Sequence, residues 1–215
     1  MTLTADLYFS FRSPYSYLAI GRYRAMTVDY DLAITLRPVY PLAVRQPDFF
    51  ARNHPNWLGY TMRDMMRVAQ FHGIPFGPPR PDPIVQNVMT GEIAAEQPHI
   101  RRITRLGQAA ARRGKGLAFA HEAGRLIWGG AAGWNEGEHL AGAAQRAGLD
   151  LAELDLEVVR EGEALDAEIA ENQSALESAG HWGVPTLVFA GEPFFGQDRI
   201  EMVRWRMEQA GLERR

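Results

Sequence analysis

The stretch Leu7-Tyr-Phe-Ser-Phe-Arg-Ser-Pro-Tyr-Ser-Tyr-Leu-Ala19 decides the fold of this chain. Leu7, Phe9 and Phe11 alternate with other residues up to Ser13-Pro14, which predicts a strand that ends at a turn. Pro14 suits the first turn of a helix, and the residues after it form one apolar face at three- and four-residue spacing: Tyr15, Leu18, Ala19, Tyr23 and Met26. The stretch therefore predicts a strand that leads directly into a helix.

A second strand follows this helix. Leu32, Ile34 and Leu36 alternate along the chain, and Pro38 closes the run. Strand, helix and strand within about 40 residues predict a βαβ unit with a parallel pair of strands.

From residue 43 to residue 178 the pattern is helical. The proline-rich segment 74–83 cannot form regular structure and predicts a loop between helices. One amphipathic helix is marked by Ile100, Ile103, Gly107, Ala110 and Ala111. Asp150 and Glu153 have the spacing of a capping box, which predicts the start of another helix.

The C-terminal part returns to strand patterns. Residues 186–190 are β-branched and aromatic, Gly191-Glu192 predicts a tight turn, and residues 193–195 a second short strand. Asp198 and Glu201 predict a capping box before a last helix. We therefore predict an α/β fold with a βαβ…ββα core: residues 1–42 and 179–215 form one domain, and 43–178 form an all-helical insertion.

Composition narrows the function. The 215 residues include 23 basic and 26 acidic ones, so the formal charge of -3 favours neither nucleic acid nor a membrane surface as a partner, and a small molecule is expected. The N-terminus has no secretory signal pattern and no apolar run is long enough to span a bilayer, so we expect a cytoplasmic protein.

The chain contains no cysteine, so thiol chemistry would require a bound cofactor. No metal site is predicted either, because the six histidines lack the spacing that places two imidazoles on one metal ion. One basic cluster is predicted to be the solvated face of its amphipathic helix rather than a nucleic-acid site: Arg101, Arg102, Arg105, Arg112, Arg113 and Lys115.

Three short segments are candidates for chemistry. Ser13 stands where a strand meets a helix, so its hydroxyl either caps the helix or, together with free N–H groups, stabilises a ligand thiolate. Pro185 either begins a strand in the ordinary trans form or makes a cis bond after Val184. Gln197 and Asp198 suit the polar groups of an amino-acid ligand, although Asp198 also has a capping role open to it.

The segments 7–19, Gly183-Val-Pro-Thr186 and Gly191-Glu-Pro-Phe-Phe-Gly-Gln-Asp-Arg199 together resemble the 2-hydroxychromene-2-carboxylate isomerases. These enzymes are relatives of kappa-class glutathione transferases within the DsbA-like thioredoxin superfamily. The region from Tyr60 to Pro75 also resembles the family's helical insertion. The resemblance implies a thioredoxin-like core, a homodimer and bound glutathione as the thiol.

The resemblance also implies roles for individual residues. Ser13 would donate a hydrogen bond to the glutathione sulfur, and the Val184 backbone would pair with the cysteinyl part before a cis Pro185. The full set of implied cofactor-binding residues is Ser13, Pro14, Asn53, Val184, Pro185, Gln197 and Asp198, with Ser13 as the catalytic residue. The family tends to carry a lysine three residues before the position of Tyr60, where this chain has Trp57.

The activity implied is the isomerisation of 2-hydroxychromene-2-carboxylate or a related aromatic pyruvate, in aromatic catabolism, by reversible thiolate addition. A kappa-like transferase or peroxidase and a non-catalytic glutathione-binding protein remain alternatives. Five aromatic residues are candidate walls for the substrate, although each also suits the core: Trp57, Trp128, Trp134, Phe194 and Phe195.

Overall fold

The computed structural model describes residues 1–46, 49, 53–87 and 92–215. Its strands are Leu3–Phe9 (β1), Leu32–Pro38 (β2), Thr186–Phe189 (β3) and Glu192–Phe195 (β4). Its helices are Pro14–Asp29 (α1), Leu42–Arg45 (α2), Asn56–His72 (α3), Pro98–Arg112 (α4), Gly116–Trp128 (α5), His139–Arg146 (α6), Leu151–Ser178 (α7) and Ile200–Gln209 (α8). A 3-10 turn over Gln197–Arg199 precedes α8.

The four strands form one mixed sheet in the order β2-β1-β3-β4. β1 and β2 are parallel, with Leu3 opposite Leu32 and Phe9 opposite Pro38, so the predicted βαβ unit is confirmed. β3 runs antiparallel to both β1 and β4. The α/β class and the βαβ…ββα order of the core are therefore as the sequence predicts.

The hairpin turn differs from the prediction by one residue. Ala190 and Gly191 occupy the two central positions, with φ angles of 50° and 80°, and Glu192 already belongs to β4. A two-residue hairpin turn with positive φ at both positions matches the right-handed twist of the flanking strands. The prediction placed the turn at Gly191-Glu192 because an alanine with positive φ is not expected from sequence.

The helical segment packs directly on the sheet. The ring of Phe11 lies so close to Gly107 in α4 that a Cβ atom there would approach it to 2.6 Å. Residues 74–83 form the predicted loop, and Asp150 caps α7 by accepting hydrogen bonds from the N–H groups of Ala152 and Glu153. In the part of the chain that is described, no helix is both long and apolar enough to cross a bilayer. The division into domains at residues 42 and 179 stays a prediction.

The basic cluster around α4 is only in part the solvated face that the sequence predicts: Arg101, Arg113 and Lys115 are exposed, but the arginines are also paired. Its arginines form ion pairs with α7: Arg102 with Asp155, Arg105 with Asp166, Arg112 with Glu168, Glu157 and Glu161, and Arg113 with Glu157. The acidic partners lie about 50 residues away in sequence, so the local pattern of α4 contains no sign of them. The basic face of one helix is thus an interface with an acidic helix.

Asp166 accepts hydrogen bonds from two different residues at this interface. It accepts two hydrogen bonds from Arg105, at 2.9 and 2.6 Å, and one from the Tyr40 hydroxyl at 2.6 Å. The hydrogen bonds from Arg105 lower the pKa of Asp166, and the bond from Tyr40 acts in the same direction. Asp155 also accepts two bonds, from Arg102, but it has no further donor among the described residues.

We expect Asp166→Asn to lower the free energy of unfolding by about 2 kcal/mol, because two donors lose a charged acceptor. Asp155→Asn is the matched control, and at a more exposed pair we expect a loss below about 1 kcal/mol. Since folding lowers the Asp166 pKa, its contribution is complete well above the ordinary aspartate pKa of about 3.9 and is lost as the pH falls from there through the lower folded pKa. Urea denaturation at several pH values measures both effects, and equal losses for the two variants would contradict the assignment.

Candidate functional site

Ser13 is the N-cap of α1 and lies in the short turn between β1 and that helix. We call this turn, together with Val184 beside it, the Ser13 corner. The Ser13 Oγ accepts a hydrogen bond from the Ser16 N–H at 3.2 Å, so the capping role is confirmed, and Pro14 occupies the first helical turn. The same hydroxyl donates to the Val184 carbonyl oxygen at 3.4 Å, which is long for an O–H···O hydrogen bond. A hydroxyl held by so weak an acceptor can donate to a ligand atom instead.

Two backbone N–H groups at this corner have no internal acceptor. In the part of the chain that is described, neither the Tyr15 N–H nor the Val184 N–H donates a hydrogen bond to another residue. Both belong to residues next to, or in contact with, Ser13. Unpaired N–H groups at the start of a helix attract negative charge, so this corner suits a thiolate or another anion.

The Val184–Pro185 peptide bond is cis, as the resemblance implied. The Pro185 carbonyl oxygen accepts a hydrogen bond from the Gly196 N–H at 2.9 Å, which connects this segment to the end of β4. Gly196 has a φ angle of 106°, and a Cβ atom there would lie 2.5 Å from a carboxylate oxygen of Asp198. Glycine is therefore required for the chain to turn from β4 toward Gln197 and Asp198.

Gln197 and Asp198 lie on the far side of the same corner. Arg22 of α1 donates to the Gln197 backbone oxygen at 2.8 Å and to its side-chain Oε1 at 3.3 Å. Asp198 is exposed and pairs with the neighbouring Arg199 at 2.6 Å, and it does not cap α8. The predicted capping box with Glu201 is therefore wrong, because a 3-10 turn precedes the α-helix and moves Asp198 away from the cap position.

Asn53 is not brought into contact with the other predicted site residues within the described chain. It is half-buried, and its Nδ2 is buried without an acceptor among the described residues. Of the candidate wall residues, Trp128, Trp134 and Phe194 belong to the core, where the first two donate to backbone carbonyls. Trp57 and Phe195 are 39% and 44% exposed, so they alone of the five candidates remain accessible to a ligand.

Three side chains around Ser13 attach the helical segment to this corner. Arg12 forms two hydrogen bonds with Asp82 in the proline-rich loop. The Tyr15 hydroxyl donates to Asp64 of α3 at 2.6 Å, and the Tyr17 hydroxyl donates to the Pro75 carbonyl at 2.6 Å. Burial and the bond to Asp64 raise the pKa of Tyr15, so it stays a neutral donor. These contacts position α3 and the proline-rich loop beside Ser13.

Sequence reasoning missed an aromatic cluster beside Val184, formed by His181, Trp182 and Phe195. The His181 ring stacks on Phe195 at 4.1 Å and on Trp182 at 5.3 Å between centroids. His181 Nδ1 accepts a hydrogen bond from the Gly183 N–H, and burial lowers the pKa of the ring. The sequence signal that could have revealed this cluster is the aromatic pair His181-Trp182 immediately before Gly183. An aromatic pair next to a predicted site segment favours a planar ligand.

Because the chain has no cysteine, a single thiol can be introduced at the corner and titrated. In Ser13→Cys we expect a thiol pKa at least about one unit below the ordinary value of about 8.5, since free N–H groups stabilise the thiolate. Ser16→Cys is the control: its side chain is fully buried, so we expect a raised pKa and slow alkylation. The rate of iodoacetamide alkylation against pH measures both, and an ordinary pKa in Ser13→Cys would contradict the anion-stabilising role.

Comparisons with solved structures show the same fold. A 2-hydroxychromene-2-carboxylate isomerase is 24% identical, with a TM-score of 0.71, over 97% of this chain and 96% of that one. A probable DsbA oxidoreductase from Streptomyces coelicolor is 16% identical, with a TM-score of 0.68 over 97% and 89%. The cytosolic disulfide reductase DsbM from Pseudomonas aeruginosa, solved with GSH, is 19% identical, with a TM-score of 0.61 over 97% and 98%.

None of the curated protein sequences matches this chain. Within the described residues, no group of three or more histidine, aspartate or glutamate side chains is arranged to hold a metal ion. A family model matches residues 4–208, which is nearly the whole chain, and it describes the DSBA-like thioredoxin domain. The β1–α1 corner, the sheet order and this match lead to one conclusion: the chain belongs to the DSBA-like thioredoxin domain family.

Proposed function

We propose that this protein binds glutathione at the Ser13 corner and catalyses the isomerisation of 2-hydroxychromene-2-carboxylate or a related aromatic pyruvate. The proposal is carried by one combined observation: the start of α1 can stabilise an anion, and the chain contains no cysteine. The corner can stabilise a thiolate, and the protein has none of its own. A protein-dithiol reaction of the disulfide oxidoreductase kind is therefore not open to this chain.

The residues at the corner fit glutathione. The Ser13 hydroxyl has only a weak internal acceptor and can donate to a sulfur atom. The free Val184 N–H and the Val184 carbonyl offer one donor and one acceptor, which suits a peptide backbone lying alongside. Gln197 and Asp198 offer an amide and a carboxylate at the far side, where the γ-glutamyl end would lie. A related fold solved with GSH supports the same choice of thiol.

When bound, glutathione would supply a thiolate that adds reversibly to a conjugated carbon, so that the former double bond rotates before the sulfur leaves. The role of the protein in this reaction is to keep that sulfur ionised. The Ser13 hydroxyl would donate to it, and the Tyr15 N–H would add the positive end of the helix dipole. Trp182 and Phe195 are exposed beside Val184 and would hold the planar ring of the substrate.

Titration calorimetry should show that the wild type binds glutathione, and Ser13→Ala should lower turnover at least about tenfold, because a donor to the thiolate is lost. Loss of the cap alone should cost about 1 kcal/mol of stability. Asp150→Ala is the matched control, since it removes the cap of α7 far from the corner. We expect it to lose similar stability and to keep its turnover.

Two results would contradict the proposal. The first is a wild type that does not bind glutathione. The second is an equal loss of turnover in Ser13→Ala and Asp150→Ala, which would make Ser13 a cap and nothing more. Assays of glutathione transfer to an aromatic halide and of peroxide reduction, run on the same protein, separate the isomerase from the transferase and peroxidase alternatives. Binding without any turnover would identify a glutathione-binding protein.

A further inference from the structure

A cleft of about 460 Å³ opens beyond Gln197 and Asp198, between α1 and the last turns of α3. We call it the arginine cleft, and its walls include Arg22, Arg67, Phe71, His72, Gln197 and Asp198. Its volume is in the range that small-molecule sites occupy. Phe71 is 84% exposed, so one wall is an open aromatic surface.

Neither arginine of the cleft has an anionic partner among the described residues. Arg22 donates to the backbone and side-chain oxygens of Gln197, which are both neutral. Arg67 forms no hydrogen bond or ion pair with any described residue. The arginines of α4, in contrast, are paired with carboxylates. Two guanidinium groups that line one cleft and are not neutralised by a described carboxylate form a site that favours an anion, and a carboxylate matches their planar donors.

A neighbouring histidine responds to this positive charge. Burial lowers the pKa of His72, and the charge of Arg22 lowers it further, so the ring stays neutral near pH 7. Asp198 is the acidic residue of the cleft, and it is already bonded to Arg199. The walls of the cleft thus carry two guanidinium groups and one carboxylate. These groups complement the carboxylate and the ammonium group of an α-amino acid.

The arginine cleft is joined to the Ser13 corner through the end of β4. Ser13 contacts the Val184 carbonyl oxygen, and the next residue, Pro185, accepts a hydrogen bond from the Gly196 N–H at 2.9 Å. Gln197 and Asp198 follow Gly196 directly and belong to the wall of the cleft. From its sulfur, the γ-glutamyl arm of glutathione extends for about 10 Å, roughly three residue lengths. An arm of that length can run from the corner past Gly196 toward the cleft.

We propose that Arg22 and Arg67 together bind the α-carboxylate of the γ-glutamyl arm and so select glutathione over thiols that lack this group. The inference rests on the proposed function and adds to it the residues that determine cofactor specificity. At position 57, where the resemblance implies a lysine, this chain has an uncharged tryptophan. The arginine cleft offers positive charge from α1 and α3.

Arg67→Gln is the variant of choice, because Arg67 has no partner among the described residues whose loss would disturb the fold. We expect calorimetry to show glutathione binding weakened about 10- to 100-fold, as for a lost charge-assisted hydrogen bond. Arg67→Lys should recover part of the affinity. Arg63→Gln, four residues earlier on α3 and outside the cleft, is the matched control and should bind as the wild type does.

A second ligand identifies the group that is recognised. We would use γ-aminobutyryl-cysteinyl-glycine, which keeps the thiol and the amine and lacks the α-carboxylate. This analogue should bind the wild type about as weakly as glutathione binds the Arg67→Gln variant. The Arg67→Gln substitution should not lower the affinity for the analogue any further. Arg22→Gln should give the same pattern, and unchanged melting temperatures would confirm that the variants are folded.

The inference is overturned if Arg67→Gln binds glutathione as tightly as the wild type does. It is also overturned if the substitution lowers the affinities for glutathione and for the analogue by the same factor. A normal glutathione affinity together with a raised KM for the aromatic substrate would assign the cleft to the substrate carboxylate and also overturn it. In each of these cases the wild type still binds glutathione, so the proposed function stands. A wild type that fails to bind glutathione would overturn both.

Discussion

The Ser13 hydroxyl accepts a hydrogen bond from the Ser16 N–H and contacts the Val184 carbonyl oxygen, and the nearby N–H groups of Tyr15 and Val184 have no internal acceptor in the described part of the chain. The first N–H groups of a helix lack intrahelical partners, so this corner can donate hydrogen bonds to water or to a ligand. The rest of the site follows from this constraint. Gly196, with its positive φ, turns the chain from β4 to Gln197 and Asp198 on the same side.

The helical segment keeps this corner in shape. Ion pairs between α4 and α7 join two helices whose charges would otherwise repel within each helix, and Phe11 packs against α4 through Gly107. Arg12 and Tyr15, on either side of Ser13, are bonded to Asp82 and Asp64 of the same segment. A movement of α3 would therefore change both the corner and the arginine cleft. The geometry of the corner and that of the cleft depend on one set of contacts.

Local patterns predicted most of the core. Alternation around Leu7 and Phe9, a proline at the first turn of α1 and the hairpin residues are short-range signals, and the elements they predict are present. Ser13 was found as a cap for the same reason. The errors also have local causes: positive φ at Ala190 moved the turn, and a 3-10 turn displaced Asp198 from the cap. Small backbone departures of this kind leave no periodic signal.

By itself, the sequence determined the βαβ…ββα order, the helix start at Ser13 and the absence of a cysteine thiol, because these depend on neighbouring residues and on composition. Only the tertiary structure decided what the charged residues do. Arg105 meets Asp166 and Arg22 meets Gln197 across 61 and 175 positions, respectively. Whether an arginine is paired, solvated or left facing a cleft is set by these distant contacts, since periodicity gives the face of a helix and not its partner.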